Sequence, residues 1–398
     1  MKEGWTYKKL GEVCVKITDG SHNPPKGVVR SNNIMLSSQN VQNGFLDMSS
    51  VRYLSDADFM FENQRTKASK GDVLLTIVGT IGRTCVLKGD EGNITFQRSV
   101  AILKPSKEIL SYYLMYYLLS QSSRLNTKAQ GAAQKGIYLK QLGAYDISYP
   151  SIEEQQRIVS RLDAAFAHID KLKANAEKQL SEARVLFQKA LTKAMEPKVG
   201  WEAKKIKDIS LLITKGSSPK WQGNSYVNSG GILFVTSENV RESYLEFNPA
   251  KYVDNSFNIK QRRSILKKND VLVNIVGASI GRAAVFDIDV ENANINQAVC
   301  LIRLDKNKLL PQYLCLFLNS EHAFNQYASM IKDTARANLS LDNIGCLEIG
   351  VPSLSEQQRI VSRLDAISAH IRELEDVLQK TIAECDALKQ ALLRKVFE

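Results

Sequence analysis

Among the residues of this chain, Asn23-Pro24-Pro25-Lys26 come nearest to a catalytic constellation. An Asn amide beside a Pro carbonyl can hold the exocyclic amino group of a base. An aromatic ring directly after them would stack on a base turned out of its helix. That arrangement suits methylation of an adenine amino nitrogen. Here Lys26 stands where the ring is needed, and no Gly-rich loop between a strand and a helix is present to hold an adenosyl cofactor. The stretch reads instead as a polar, proline-stiffened loop able to meet DNA, with His22, Asn23, Lys26 and Arg30 as candidate contacts.

Other spacings offer less chemistry. Gly79–Arg83 (GTIGR) and Gly277–Arg282 (GASIGR) lack both a nucleotide-loop lysine and the GxGxxG spacing. Each reads as a tight turn between strands, or as a turn that also carries Arg83 or Arg282 to a DNA phosphate. Tyr113/Tyr117 and Tyr313/Phe317, spaced i,i+4 on apolar stretches, read as core rather than as base-stacking platforms. His168 and His370 have Leu172 and Leu374 four residues on, not ligands, and read as structural or partner-facing. The six cysteines, Cys14, Cys85, Cys300, Cys315, Cys346 and Cys385, form no CxxC, and the four His are scattered. No metal, cofactor or disulfide framework is expected, and reduced thiols suit a cytoplasmic protein. No Ser/His/Asp or paired-carboxylate arrangement recurs in both halves, so catalysis by this chain is not expected.

Side chains able to read base edges gather in three stretches: Ser37-Ser38-Gln39-Asn40, Gln97-Arg98-Ser99 and Gln134-Lys135. Their counterparts are Ser237-Glu238-Asn239, Asn296-Gln297 and Arg336, and the loop matching the Asn-Pro-Pro stretch holds Lys215, Ser217 and Lys220. Singly each reads as a solvated loop; together they are candidates for sequence readout.

The elements that must position these residues come from a duplication. PSIEEQQRIVSRLDAAFAHI begins at Pro150 and PSLSEQQRIVSRLDAISAHI at Pro352, with eleven consecutive identities over Glu154–Ala164 and Glu356–Ala366. Upstream, GDVLLTIVGTIGR from Gly71 echoes NDVLVNIVGASIGR from Asn269. The organisation is A–B–A′–B′, with boundaries at 1–150, 151–198, 199–351 and 352–398. In B and B′ apolar residues recur with a near-heptad spacing from Ile158 and from Ile360. Each segment predicts a long helix capped by Ser151 or Ser353, with Glu154 or Glu356 completing a capping box. Ala165, Ala176 and Ala183 are expected to meet larger Ile367, Leu378 and Cys385 along a seam. The A segments read as mixed α/β, with strands at Val73–Val78, Cys85–Leu87 and Val100–Leu103 matched by Val271–Val276, Ala283–Phe286 and Val299–Arg303. Helices follow at Tyr112–Leu119 and Gln312–Asn319.

Charge supports a polyanionic partner. The net charge is +11, of which +7 lies in residues 1–150 and +3 in 199–351. No signal peptide is read at MKEGWTYKKLGEV, and the longest apolar run, Ile109–Leu119, is too short to cross a bilayer, so no membrane partner is expected.

The repeat order, the P-S-[IL]-x-E-Q-Q-R-I-V-x-x-L-D start of each helix and the [GN]-D-V-L-[LV]-x-I-V-G…I-G-R block are together similar to specificity subunits of type I restriction–modification systems. The resemblance implies an α+β chain: two target recognition domains separated by two long antiparallel helices forming a coiled coil, with internal pseudo-two-fold symmetry. It implies a non-catalytic protein that reads a bipartite double-stranded DNA sequence. Two methyltransferase subunits would dock on the helical regions, through Gln155, Arg157 and Arg161 and through Gln357, Arg359 and Arg363. Restriction/translocase subunits would join that core, and an Asn-Pro-Pro-aromatic motif is then expected in the methyltransferase partner. Three alternatives stay open on the residues alone: an unpartnered or regulatory DNA-binding relative, a coiled-coil scaffold without DNA specificity, and a self-sufficient DNA methyltransferase.

Overall fold

The computed structural model describes residues 3–129, 136–331 and 338–398. The chain divides into two compact units, Met1–Ala176 with Lys380–Glu398, and Glu177–Gln379.

In the first unit Cys14–Asp19, Val100–Pro105, Val73–Thr76 and Thr84–Val86 form, in that order, a four-stranded antiparallel sheet. Val73, Leu75, Ala101 and Leu103 pack with Tyr113, Leu114 and Leu118 of the helix Ser111–Ser120. Leu74, Cys85 and Ile102 pack on the opposite side with Leu36, Val41, Ile94 and Phe96. A sheet covered on both faces has no need of polar alternation, which explains the nearly continuous apolar runs. A second sheet pairs Asn33–Leu36 in parallel with Asn93–Phe96 and antiparallel with Arg52–Leu54.

The second unit repeats the plan. Ser210–Lys215, Val299–Leu304, Asp270–Asn274 and Ala283–Phe286 form the antiparallel sheet, beneath the helix Pro311–Leu318. Ile232–Val235 runs parallel to Ala293–Ile295 and antiparallel to Tyr252–Val253. Here the second sheet gains an edge strand, Tyr226–Val227, where the first unit has a single bridge between Val28 and Tyr53. Conversely, the first unit has an eleven-residue helix, Asp56–Thr66, where the second has only Phe257–Lys260 and a turn at Arg262–Ser264.

The [GN]-D block works in the same way in both units. Gly71 and Asn269 take left-handed backbone at φ 88° and 75°, a conformation that Gly adopts freely and Asn tolerates best among other residues. The following aspartate is buried. Asp270 accepts from the Lys267 backbone and forms a two-bonded pair with Arg303, 2.8 and 2.6 Å. Asp72 accepts from the Ser69 backbone and pairs with Lys104.

The long helices are Ile152–Met195 and Leu354–Phe397, 44 residues each, about 66 Å at about 1.5 Å per residue. The Ser151 and Ser353 hydroxyls accept from Glu154 N and Glu356 N, at 3.4 and 3.3 Å. The expected second half of the capping box is replaced: Glu154 and Glu356 turn instead to Arg157 and Arg359 at 2.7 Å. That guanidinium holds the Glu356 carboxyl below its ordinary range.

Within each unit the helix segments run antiparallel. In the first, Asp170 meets Lys389 at 2.5 Å and Lys173 meets Asp386 at 2.8 Å. In the second, Arg184 meets Glu375 at 2.6 Å, and Leu191 and Met195 share a core with Ile360, Val361 and Leu364. This register brings buried Ala176 level with Cys385, and buried Ala183 level with Leu378. The apolar stripe is not wholly buried, however. Leu172, Leu186, Leu374 and Leu388 are 42–64% exposed, because one partner helix covers only part of a stripe that drifts around the helix.

Candidate nucleic-acid interface

In the first unit the last parallel pair is Leu36–Phe96, and both strands leave the sheet there. Ser37–Asn40 follows one strand and Gln97–Ser99 the other. The loop of the Asn-Pro-Pro stretch joins them: Ser21 donates to Phe96 O and Arg98 N donates to Ser21 O, both 2.8 Å. Gly20 permits this approach, since a Cβ there would fall 1.9 Å from Phe96 O. Ser38 N donates to Ser99 Oγ at 3.0 Å. The result is a polar recess of about 400 Å³ lined by Ser38, Gln39, Arg52, Gln97 and Arg98 among others. Amides and guanidinium groups at a shared rim are suited to base edges and phosphate.

The loop above the recess is held in place. His22 Nε2 lies 2.9 Å from buried Asp19, which also takes Arg65, and Arg52 donates to Pro25 O at 3.1 Å. Asn23, Lys26 and Arg30 are exposed.

The second domain reproduces the convergence. Asn296 N donates to Val235 O at 3.0 Å, and Gly216 lies so close that a Cβ would fall 1.8 Å from Ile295 O. This gathers the segments bearing exposed Lys215 and Lys220 and half-buried Ser217, Ser237 and Gln297. Ser217 Oγ is occupied by Gln222 Nε2 at 3.0 Å.

Several candidates have other duties. Asn40 is buried and spends its amide on the turn, accepting from Ser37 N and donating to Asp47 O and Ser50 O. Asn239 does the same with Thr236 N and Glu246 O. Neither is free to read a base, because donor and acceptor are both used inside the turn. Gln155 and Gln357, expected at a partner interface, are fully buried. Gln155 accepts from Leu110 N and donates to Glu108 O and Pro150 O; Gln357 repeats this with Leu310 N, Lys308 O and Pro352 O. Each clamps its helix start to its own domain. Arg157, Arg161, Arg359 and Arg363 remain exposed.

Arg83 and Arg282 follow tight turns, with Gly82 N bonded to Thr76 O and Gly281 N to Asn274 O. Both line clefts beside the long helices: Arg83 with Phe45, Asp163 and Lys173, and Arg282 with Tyr244, Asp365 and Arg372. Gln134, Lys135 and Arg336 lie outside the described residues.

Tyr113, Tyr117, Tyr313 and Phe317 are core, and burial pushes the Tyr117 phenol up to about 12. Burial likewise raises the Cys14, Cys85, Cys300 and Cys315 thiols to about 12, which makes them poor nucleophiles. Among the described residues no His/Cys/Asp/Glu group could hold a metal ion, and no helix is long and apolar enough to cross a membrane.

The sequence carries one signal for the convergence: glycines at matching positions, Gly20 and Gly216, directly after the first strand of each four-stranded sheet.

The chain is similar to known proteins. The chain is 24% identical to the StySPI specificity subunit of Salmonella potsdam, over 99% of this chain and 85% of that protein. It is 22% identical to the EcoKI specificity subunit of Escherichia coli K12, over 100% and 89%. With the Escherichia coli EcoBI specificity subunit it shares 25% identity over 74% of this chain, and it spans 65% of that protein. A chain from a structural study of type I R-M complex assembly and conformational transition superposes with TM-score 0.76 at 18% identity, covering 100% and 98%. The HsdS subunit from Thermoanaerobacter tengcongensis gives 0.55 at 17%, covering 100% and 97%. A model of the type I restriction modification DNA specificity domain matches residues 2–182 and again 198–384, so the chain belongs to that family and carries its domain twice.

Proposed function

We propose that this specificity subunit reads a bipartite duplex, one half-site per recognition domain, and does so without catalysing a reaction itself. The observation that carries the reading is the repeated convergence of three segments at the ends of two parallel strands, with the same backbone and different side chains in each domain. In the first domain Gln39, Gln97 and Arg98 are assigned to base edges, and Lys26 and Arg30 to phosphate. In the second, Gln297 and Ser237 are assigned to bases, and Lys215 and Lys220 to phosphate.

Two DNA-methyltransferase subunits are assigned to the long helices. Supporting this, the exposed residues Gln156, Arg157, Ser160 and Arg161 recur identically as Gln358, Arg359, Ser362 and Arg363. The exposed leucines also form pairs: the ion-pair register sets Leu172 level with Leu388, and Leu186 level with Leu374. A repeated apolar and basic face suits one kind of partner bound twice. Restriction/translocase subunits would join this core in the cytoplasm. The length of helix between the recognition domains would set the gap between half-sites.

The test is methylation mapping of the source cell followed by exchange of residues 1–150 for another recognition domain. One half of the methylated motif is expected to change. A change in both halves, or none, would overturn the reading.

A further inference from the structure

Trp221 differs from the other two tryptophans of the chain. Trp5 and Trp201 lie against Tyr113 and Tyr313, with ring centroids 6.5 and 6.4 Å apart. Trp221 is 74% exposed. It stands on a one-turn 3-10 segment, Lys220–Gln222, that is tied down on several sides. Asn224 N and Gln222 N both donate to Pro219 O, Gln222 Nε2 donates to Ser217 Oγ, and Lys260 Nζ donates to Gln222 O at 2.5 Å. The turn is therefore a firm mount rather than a loose loop. Its root is Gly216, laid on Ile295 O at the point where Asn296 and Gln297 leave the sheet.

The surroundings are basic. Residues 215–227 and 257–268, joined by the Lys260–Gln222 bond, hold seven lysines and arginines and no carboxylate. A large apolar ring held out on a rigid turn gains most by burial, and a border of seven cations with one nearby carboxylate, Asp254, favours a polyanion as the covering surface. The first domain differs: its exposed Met60 and Phe61 stand beside Asp58 and Glu62, which would repel phosphate.

We propose that Trp221 is an aromatic contact to duplex DNA, its indole laid against a sugar and a base edge at the second half-site while Lys215 and Lys220 take flanking phosphates. This rests on the recognition reading above. It adds an aromatic contact that the matching loop of the first domain, residues 20–30, lacks.

The full chain, alone and assembled with its methyltransferase subunits, is titrated with a labelled duplex carrying the motif found by methylation mapping. Anisotropy of the label reports binding, and tryptophan emission reports Trp221. Quenching on binding is expected, and it should vanish in Trp221→Phe. Affinity should fall about tenfold in Trp221→Ala and be largely kept in Trp221→Phe, as burial of an aromatic ring requires. Emission of Trp5 and Trp201 in both variants reports that the fold is intact. Binding of normal affinity by Trp221→Ala, with no quench in the parent, overturns the inference and leaves the recognition reading standing. A blue shift on adding methyltransferase subunits without DNA overturns it in favour of a protein interface. Failure to bind any duplex at low salt removes the recognition reading and this inference with it.

Discussion

In the first recognition domain Asn40 closes the turn after the parallel strand, Gly20 lies on Phe96 and Asp72 is held by Lys104. In the second, Asn239, Gly216 and Asp270 do the same work in the same places. Around those shared pins the rims part company. The first carries Gln39, Gln97, Arg98 and the proline-stiffened loop; the second carries Gln297, an added edge strand and Trp221. A duplicated fold has thus kept what fixes the backbone and changed what faces outward. Within one chain that contrast separates the residues that fix the backbone from those left facing outward, as residue type alone does not.

The largest effect should come from breaking a shared pin. Asp270→Ala strands the Arg303 guanidinium in a mostly buried site, and urea unfolding should show a loss of about 3–5 kcal/mol. Asp72→Ala should follow the same course, less severely, because Lys104 keeps two further partners, Lys67 O and Ser69 Oγ, where Arg303 keeps Ile265 O alone. A mild effect at Asp270 would mean that the pins are not what unites the domains. Next, Gln97→Ala with Arg98→Ala should relax discrimination in one half of the methylated motif by about 1–3 kcal/mol and spare the other half. Equal relaxation of both halves would erase the division of labour. The helices, being alike in both units, should answer symmetrically. Leu172→Asp with Leu388→Asp, or Leu186→Asp with Leu374→Asp, should each weaken methyltransferase capture by about 1–2 kcal/mol with little change in unfolding midpoint.

The smallest effect concerns a mismatch. Tyr116 donates to Asp163 at 2.6 Å, whereas the matching aspartate, Asp365, has Leu316 at the position corresponding to Tyr116. Desolvation holds the Asp365 carboxyl above its ordinary value of 3.8. The folded state therefore binds its proton more tightly than the unfolded chain does. Stability from this group is retained below 3.8 and falls as pH rises through the raised value. Asp365→Asn should flatten that slope slightly. An unchanged pH profile would show Asp365 to be solvated as freely as any surface aspartate.

The duplication, both long helices and the buried faces of the central sheets were legible because period and repetition survive in sequence. The small parallel sheet was not foreseen, since Asn33–Leu36 and Asn93–Phe96 are short and pair across some sixty residues. Asn40, Asn239, Gln155 and Gln357 were misplaced for one physical reason. An amide that can read a base can equally close a turn or clamp a helix start, and only geometry tells which bonds are already spent. The exposed leucines were hidden because an unbroken stripe in sequence does not say how much of it a single partner helix can cover.

Phe397 rests edge-on against Tyr113 and Tyr117, and Leu393 is fully buried beside it. The second unit draws its core from one continuous stretch, Glu177–Gln379, while the first must wait for residues 380–398. During synthesis the order of completion is therefore inverted. The second unit can finish once residue 379 has emerged. The first, though made earlier, keeps an apolar slot open across more than two hundred intervening residues until Phe397 arrives to fill it.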